Sequence, residues 1–259
     1  YFGGTTLPVA PEPGQELSPE QEQQQSLTGA VNDLLGSLGG GKDISVRLID
    51  FLGKTSLAVS APLTTTDVDG GSAEDTFTLV SGSAPQAGEA KKEIFFDAGE
   101  SKGKQVFALN MSKLGSDTTL VVKNVEAALV AGPGSLRIDG TAGARVNSDN
   151  FGQNITGGGG NDTLVGGGND TLTGGVGADI FGFSSAAKGN FTITDFDKTT
   201  DQIGLKLTGV STFAQLQAAV TGGSYANGAM TYNLGPDISI TLVGIGPNDI
   251  TADMIKFTF

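Results

Sequence analysis

The chain has 259 residues, 37% hydrophobic and 17% charged, enough for one large domain or two modest ones. A net charge of −13 argues against nucleic acid and anionic membrane as partners, and towards cations or a solubilising surface. There is no His, Cys or Trp, so Cys/His zinc sites, thiol chemistry, His-based triads and disulfide staples are all excluded.

Residues 1–17, rich in Pro, Gly and Glu, read as an extended arm or linker. The chain opens at Tyr1 without the charged-then-apolar layout of a signal peptide, which reads as a processed product or a piece of a longer chain. No apolar run reaches the roughly 18 residues of a membrane span. "SPEQ" then supplies Ser18 as N-cap, Pro19 at the first helical position and Gln21 at the capping-box position. A helix is predicted over 18–40, with Leu27, Val31, Leu34, Leu35 and Leu38 on one face.

From residue 43 the apolar period changes to two. "ISVRL", "SLAVS", "TFTLV", "EIFF", "QVFAL" and "TLVV" read as short strands between turn-rich segments. This β-rich region, 43–118, is either a small sandwich or the start of a β-coil. Within it "DVDGGSAEDTFTL", with Asp67, Asp69 and Asp75, reads as an acidic turn.

Over 119–183 apolar residues recur every eight or nine positions, at Val121, Leu129, Ile138, Val146, Ile155, Leu164, Leu172 and Ile180. That spacing fits a coil whose half-turn holds one short strand and one tight turn. Residues 157–165, "GGGGNDTLV", and 174–182, "GGVGADIFG", match G-G-x-G-x-D-x-U-x, the calcium-binding nonapeptide of parallel β-helices. Between them "GGGNDTLT", 166–173, is one residue short.

Such turns need positive φ and close backbone approach, which glycine adopts cheaply. They leave carbonyls facing inward beside an aspartate, an all-oxygen environment suited to calcium, which takes about six to eight oxygens. Turns on one edge recur every full coil, so the Asp162 turn is predicted to stack on the Asp179 turn with calcium between them. Asp170 falls on the opposite edge, against 148–152 and 184–190, where Asp149 stands nearby; the shortened repeat makes this a poorer site. Asp195, Asp197 and Asp201 in "DFDKTTDQI" either complete a last calcium site or form a solvated turn. Without metal, clustered carboxylates repel and glycine carries a large ordering entropy, so the segment is expected to fold on binding calcium.

Residues 184–259 read as a capping region. A second helix is predicted near 212–220, with Thr212 and Gln215 as a capping box and Gly222 as C-cap, followed by a hairpin around Gly235-Pro236-Asp237.

The succession "GGGGNDTLVGGGNDTLTGGVGADIFGF", "ITDFDKTTDQIGL" and "ISITLVGIGPNDITADMIKF" resembles the C-terminal module of the RTX (repeats-in-toxin) family over roughly 139–259. The upstream "LVVKNVEAALVAGPGSLRIDGTAG" is similar, less specifically, to segments of bacterial surface-layer RTX proteins. The resemblance implies an all-β chain with a parallel β-roll of calcium-binding turns. It also implies type I export from a Gram-negative-type bacterium, and folding outside the cell in calcium. Carried over by position, the metal residues are Asp162, Asp170 and Asp179 with turn positions Gly157, Gly159, Gly166, Gly168, Gly174 and Val176, and Asp195 and Asp201 after them.

No motif organises the remaining Ser, Thr, Asp, Glu, Lys and Tyr residues into a catalytic constellation, so no enzymatic activity is expected here. The favoured function is a secreted structural protein, an S-layer, matrix or filament subunit that self-associates. The alternatives are the secretion and folding module of a larger RTX hydrolase or toxin, and an adhesin. An adhesin needs an exposed aromatic or polar platform, and three Tyr with no Trp give no sign of one.

Overall fold

The computed structural model describes residues 44–51, 57–59, 78–80, 92–97, 104–111 and 116–259. The arm, the first helix and most of the acidic segment 67–79 lie outside the described residues.

The chain is mostly β. Its strands are β1 (Ile44–Phe51), β2 (Leu57–Val59), β3 (Thr78–Val80), β4 (Lys92–Asp97), β5 (Lys104–Asn110), β6 (Thr118–Lys123), β7 (Ala127–Ala131), β8 (Ser135–Ile138), β9 (Arg145–Ser148) and β10 (Asn154–Gly159). They continue as β11 (Thr163–Gly166), β12 (Thr171–Val176), β13 (Ile180–Ser184), β14 (Gly189–Ile193) and β15 (Gln202–Lys206). Helix α1 (Phe213–Ala219) precedes β16 (Val220–Ala226), β17 (Ala229–Leu234), β18 (Ile238–Val243) and β19 (Ile255–Lys256).

Successive strands alternate between two sheets. One runs β19-β15-β13-β11-β9-β7-β5-β1-β2, the other β16-β17-β18-β14-β12-β10-β8-β6-β4-β3. The central pairings are parallel, so each coil contributes one strand to each sheet: a β-solenoid of the two-sheet, roll type. Strands β1, β4 and β5 join the same sheets in parallel with β5, β6 and β7. Among the described strands of residues 43–118, β2 and β3 pair antiparallel with β1 and β4, while β1, β4 and β5 continue the coil. The reason is register: a parallel ladder satisfies the next strand's backbone groups without a sheet edge between the two regions.

Side chains alternate in and out along each strand, and the inward ones stack coil upon coil. In one sheet Leu120, Leu136, Ile155, Leu172, Ile193 and Leu242 are in register and almost fully buried. In the other, Ala128, Val146, Leu164, Phe181 and Ile203 form the matching ladder. Each large aliphatic side chain buried this way contributes about 1.5–3 kcal/mol. Three predicted core positions shift: Val121 and Leu129 are in register with Arg137 and Asn147, so Leu120 and Ala128 take the inward places, and Ile180 is half-buried and faces outward while Phe181 takes the core place opposite Leu164. Phe181 stands two residues after the aspartate, as Leu164 and Leu172 do.

Helix α1 is capped by Thr212, whose Oγ1 accepts from Gln215 N at 3.3 Å. The Gln215 side chain reaches back to Ser211 N (2.9 Å) and not to Thr212. Gly222 is not a C-cap: the helix ends at Ala219 and passes directly into β16, where Gly222 pairs with Asn233. The expected hairpin is present as β17 antiparallel to β18 around Gly235–Asp237. No described helix is long and apolar enough to cross a membrane.

Candidate metal centre

The two edges of the solenoid are lined by its turns. On one edge the turns before β11 and β13 stack directly, with Gly158 in register with Gly175 and Gly159 with Val176. Gly158 and Gly175 have φ of 97° each, the left-handed region that glycine enters without penalty. A Cβ on Gly175 would also run into the Gly158 carbonyl, so no side chain fits between the two coils.

The aspartates of this edge form a ladder. Asp162 Oδ1 accepts from Ala144 N (2.7 Å), Asp179 Oδ1 from Asp162 N (2.8 Å) and Asp201 Oδ1 from Asp179 N (2.9 Å). Each carboxylate thus ties its turn to the preceding coil. The second oxygens differ. Asp201 Oδ2 accepts from Asp197 N at 2.9 Å, whereas the Oδ2 atoms of Asp162 and Asp179 are buried with no donor at all. Both residues are 1% exposed.

A buried carboxylate oxygen without a donor is costly. Burial pushes the Asp162 carboxyl up to about 6, with the Asp179 charge adding to it and the Ala144 N–H opposing. Asp179 is likewise raised by burial and by the charges of Asp201 and Asp195. The described ion pairs, Arg137–Glu93 and Lys198–Asp249, leave these aspartates alone. The place where the Gly157 side chain would begin is flanked by Asp162 Oδ2 and, at 2.7 Å, by the Gly174 carbonyl oxygen. Gly174 stands in the same relation to Asp179 Oδ2. At Gly157 an unsatisfied carboxylate oxygen and a carbonyl therefore meet where a Cβ would intrude; at Gly174 the further neighbour is the Phe181 ring, 3.0 Å from that place.

These donors are all oxygens, the set a hard divalent cation prefers. Among the described residues no three acidic side chains converge, so backbone carbonyls would have to complete a coordination shell. The orphaned Oδ2 atoms are donors of the kind a hard divalent cation takes, and if one were bound here Asp162, Asp179 and the Gly157 turn would hold it.

The other edge is built differently. Asp170 is fully buried, yet both its oxygens are engaged: Oδ1 with Gln153 N (2.7 Å), Oδ2 with Ser148 Oγ (2.6 Å) and Gly167 N (2.9 Å). Asp149 sits one coil earlier and accepts from Gly132 N (2.8 Å), Phe151 N (3.0 Å) and Gln153 Nε2 (2.7 Å). Burial raises the carboxyls of both. The shortened turn is closed by Asn169 at φ 49° in place of a glycine pair. Its neighbours are those expected, with Lys188 N donating to Gly167 O (3.1 Å) and Asn190 N to Asn169 Oδ1 (2.9 Å).

The remaining candidates separate. A Cβ on Gly168 would come within 3.0–3.1 Å of Asn150 and Lys188 backbone atoms, so this glycine is a spacer between turns. Gly166 faces the core, where a Cβ would meet the Phe191 ring at 2.9 Å; its role is packing. The Val176 side chain is 79% exposed, and Gly159 N donates to Gly140 O (3.1 Å). Asp195 spends both oxygens on Gly174 N (2.9 Å) and Gly175 N (2.8 Å), holding the cradle from the next coil. Ser148, which occupies the Asp170 carboxylate, escaped sequence reasoning; a hydroxyl twenty-two residues away carries no local signal. The sequence matches no family model and no curated protein.

Proposed function

We propose that this chain is a calcium-binding structural protein of the cell exterior. It leaves the cell by the type I route that the RTX resemblance implies and folds on meeting calcium outside. The observation that carries the reading is the pair of buried, donorless Oδ2 atoms of Asp162 and Asp179. At neutral pH two ionised carboxylates there destabilise the coil, and a divalent cation offsets that repulsion while supplying the missing partner. Metal binding then becomes folding free energy. In the lattice or filament role, the solenoid is a rigid rod without catalytic duty.

Replacing both Asp162 and Asp179 by Ala tests the metal reading. Calcium raises the β signal in circular dichroism of the wild-type chain and leaves that of the double variant unchanged; an equal rise in both defeats the assignment. Chromatography and electron microscopy with and without calcium test the assembly role, which a calcium-loaded monomer at high concentration would refute.

A further inference from the structure

Strand β16 ends the ten-stranded sheet with one side open. It pairs with β17, and among the described residues no backbone group of residues 221–226 is bonded on its other side. The hairpin to β17 turns on Asn227 and Gly228, with φ of 52° and 76°, a two-residue turn that makes Ala226 and Ala229 a hydrogen-bonded pair. Antiparallel pairing alternates from there, so Tyr225 and Gly223 direct their N–H and C=O groups away from β17.

Open edges are usually blunted by charge, proline or a bulge. Here a register shift at Thr221 confines the edge to residues 222–226, and none of those five positions holds a charge or a proline. The absence of charge is wider than the strand. Residues 207–236, which include α1, β16 and β17, contain no Asp, Glu, Lys or Arg, in a chain of net charge −13.

The side chains of the edge complement one another. Tyr225 continues the inward ladder of Leu242 and Met230, yet it is 56% exposed because no strand follows β16 in the sheet. Gly223 stands two residues away on the same face. A Cβ there would meet the Thr231 carbonyl oxygen at 2.5 Å and Met230 Cε at 3.0 Å, so the place stays bare with a methyl group beside it. A large exposed ring and a vacant place of the same face therefore lie side by side, with Ser224 between them on the other face.

We propose that two copies of this chain join through β16, antiparallel about a two-fold axis at Ser224. In that register Gly223 of each copy faces Tyr225 of the other, and each such pair exchanges both of its N–H···O bonds. Each tyrosine ring covers the other copy's glycine, as aromatic side chains shield edge glycines in sheets, and meets the methionine beside it. The partner is a second copy because a two-fold axis sets every group against itself. Elsewhere on an acidic chain that opposes like charges; within residues 207–236 there are none to oppose. The inference rests on the self-association proposed above and gives it a surface; calcium enters only by folding the coil.

The chain has no Cys, so Ser224→Cys puts a single thiol at the axis. Residues opposite each other there stand about 4.5 Å apart at Cα, within reach of a disulfide. The folded full-length variant in calcium should oxidise to a covalent dimer, while Ala186→Cys, exposed on a turn between coils, should stay monomeric. Ser224→Lys sets two ammonium groups against each other and should abolish the concentration-dependent dimer that sedimentation shows for the wild type, with circular dichroism unchanged. Tyr225→Ala should weaken that dimer. Equal disulfide yields from the two Cys variants, or dimerisation of folded Ser224→Lys protein at wild-type concentrations, overturn this surface and leave the assembly reading standing. A wild type that stays monomeric at every concentration overturns both and leaves the edge to a strand of another protein.

Discussion

In the absence of calcium, acid should stabilise the solenoid. A folded-state carboxyl raised from 3.8 to about 6 means that native Asp162 binds a proton the unfolded chain has already lost. Stability of the metal-free coil therefore increases as pH falls through 6, and the gain is complete below the unfolded value. The rise is equivalent to about 3 kcal/mol, and solvent near the turn screens part of it, leaving roughly 2 kcal/mol. Asp149, Asp170, Asp179 and Asp201 are all raised by burial and act in the same direction. With calcium present the order inverts, because the metal requires the ionised carboxylates that acid removes. The assay is the β signal in circular dichroism at about pH 7.5 and about pH 5, in chelator and in calcium, with urea unfolding at each condition where the chain is folded. Chelated protein that is no more stable at the lower pH refutes the assignment of Asp162 and Asp179 as buried and unsatisfied.

Gly157→Ala places a methyl against Asp162 Oδ2 and 2.7 Å from the Gly174 carbonyl, so calcorimetric calcium affinity should fall, with a stability loss of about 1–3 kcal/mol. Ser148→Ala removes the 2.6 Å bond to Asp170 and should cost about 1.5–3 kcal/mol in denaturant melts that added calcium does not recover. Phe181→Ala should cost about 3–5 kcal/mol and Ile180→Ala under about 1.5 kcal/mol, a contrast that thermal unfolding in calcium checks directly.

The sequence alone carried the coil. Recurrence of apolar residues at eight or nine positions, and glycines at fixed offsets before Asp162 and Asp179, are local consequences of one short strand and one tight turn per half-coil. The stacking of Asp162 on Asp179 followed from arithmetic, since two half-coils return the chain to the same edge. Thr212 at the start of α1 and Gly235 in the hairpin were legible because caps and turns are decided within four residues.

What tertiary structure decided lies between coils. Ile180 and Phe181 are both apolar, and only the ladder with Leu164 and Ile203 selects which one faces inward. Gly166 has the composition of a turn, yet its neighbour is the Phe191 ring from the next coil. Asp162 and Asp170 share the local pattern N-D-T-L, but one keeps an oxygen without a donor while the other is closed by Ser148. A sequence encodes the period of a coil locally; register between coils sets which atoms meet, and with them the donorless oxygens of Asp162 and Asp179.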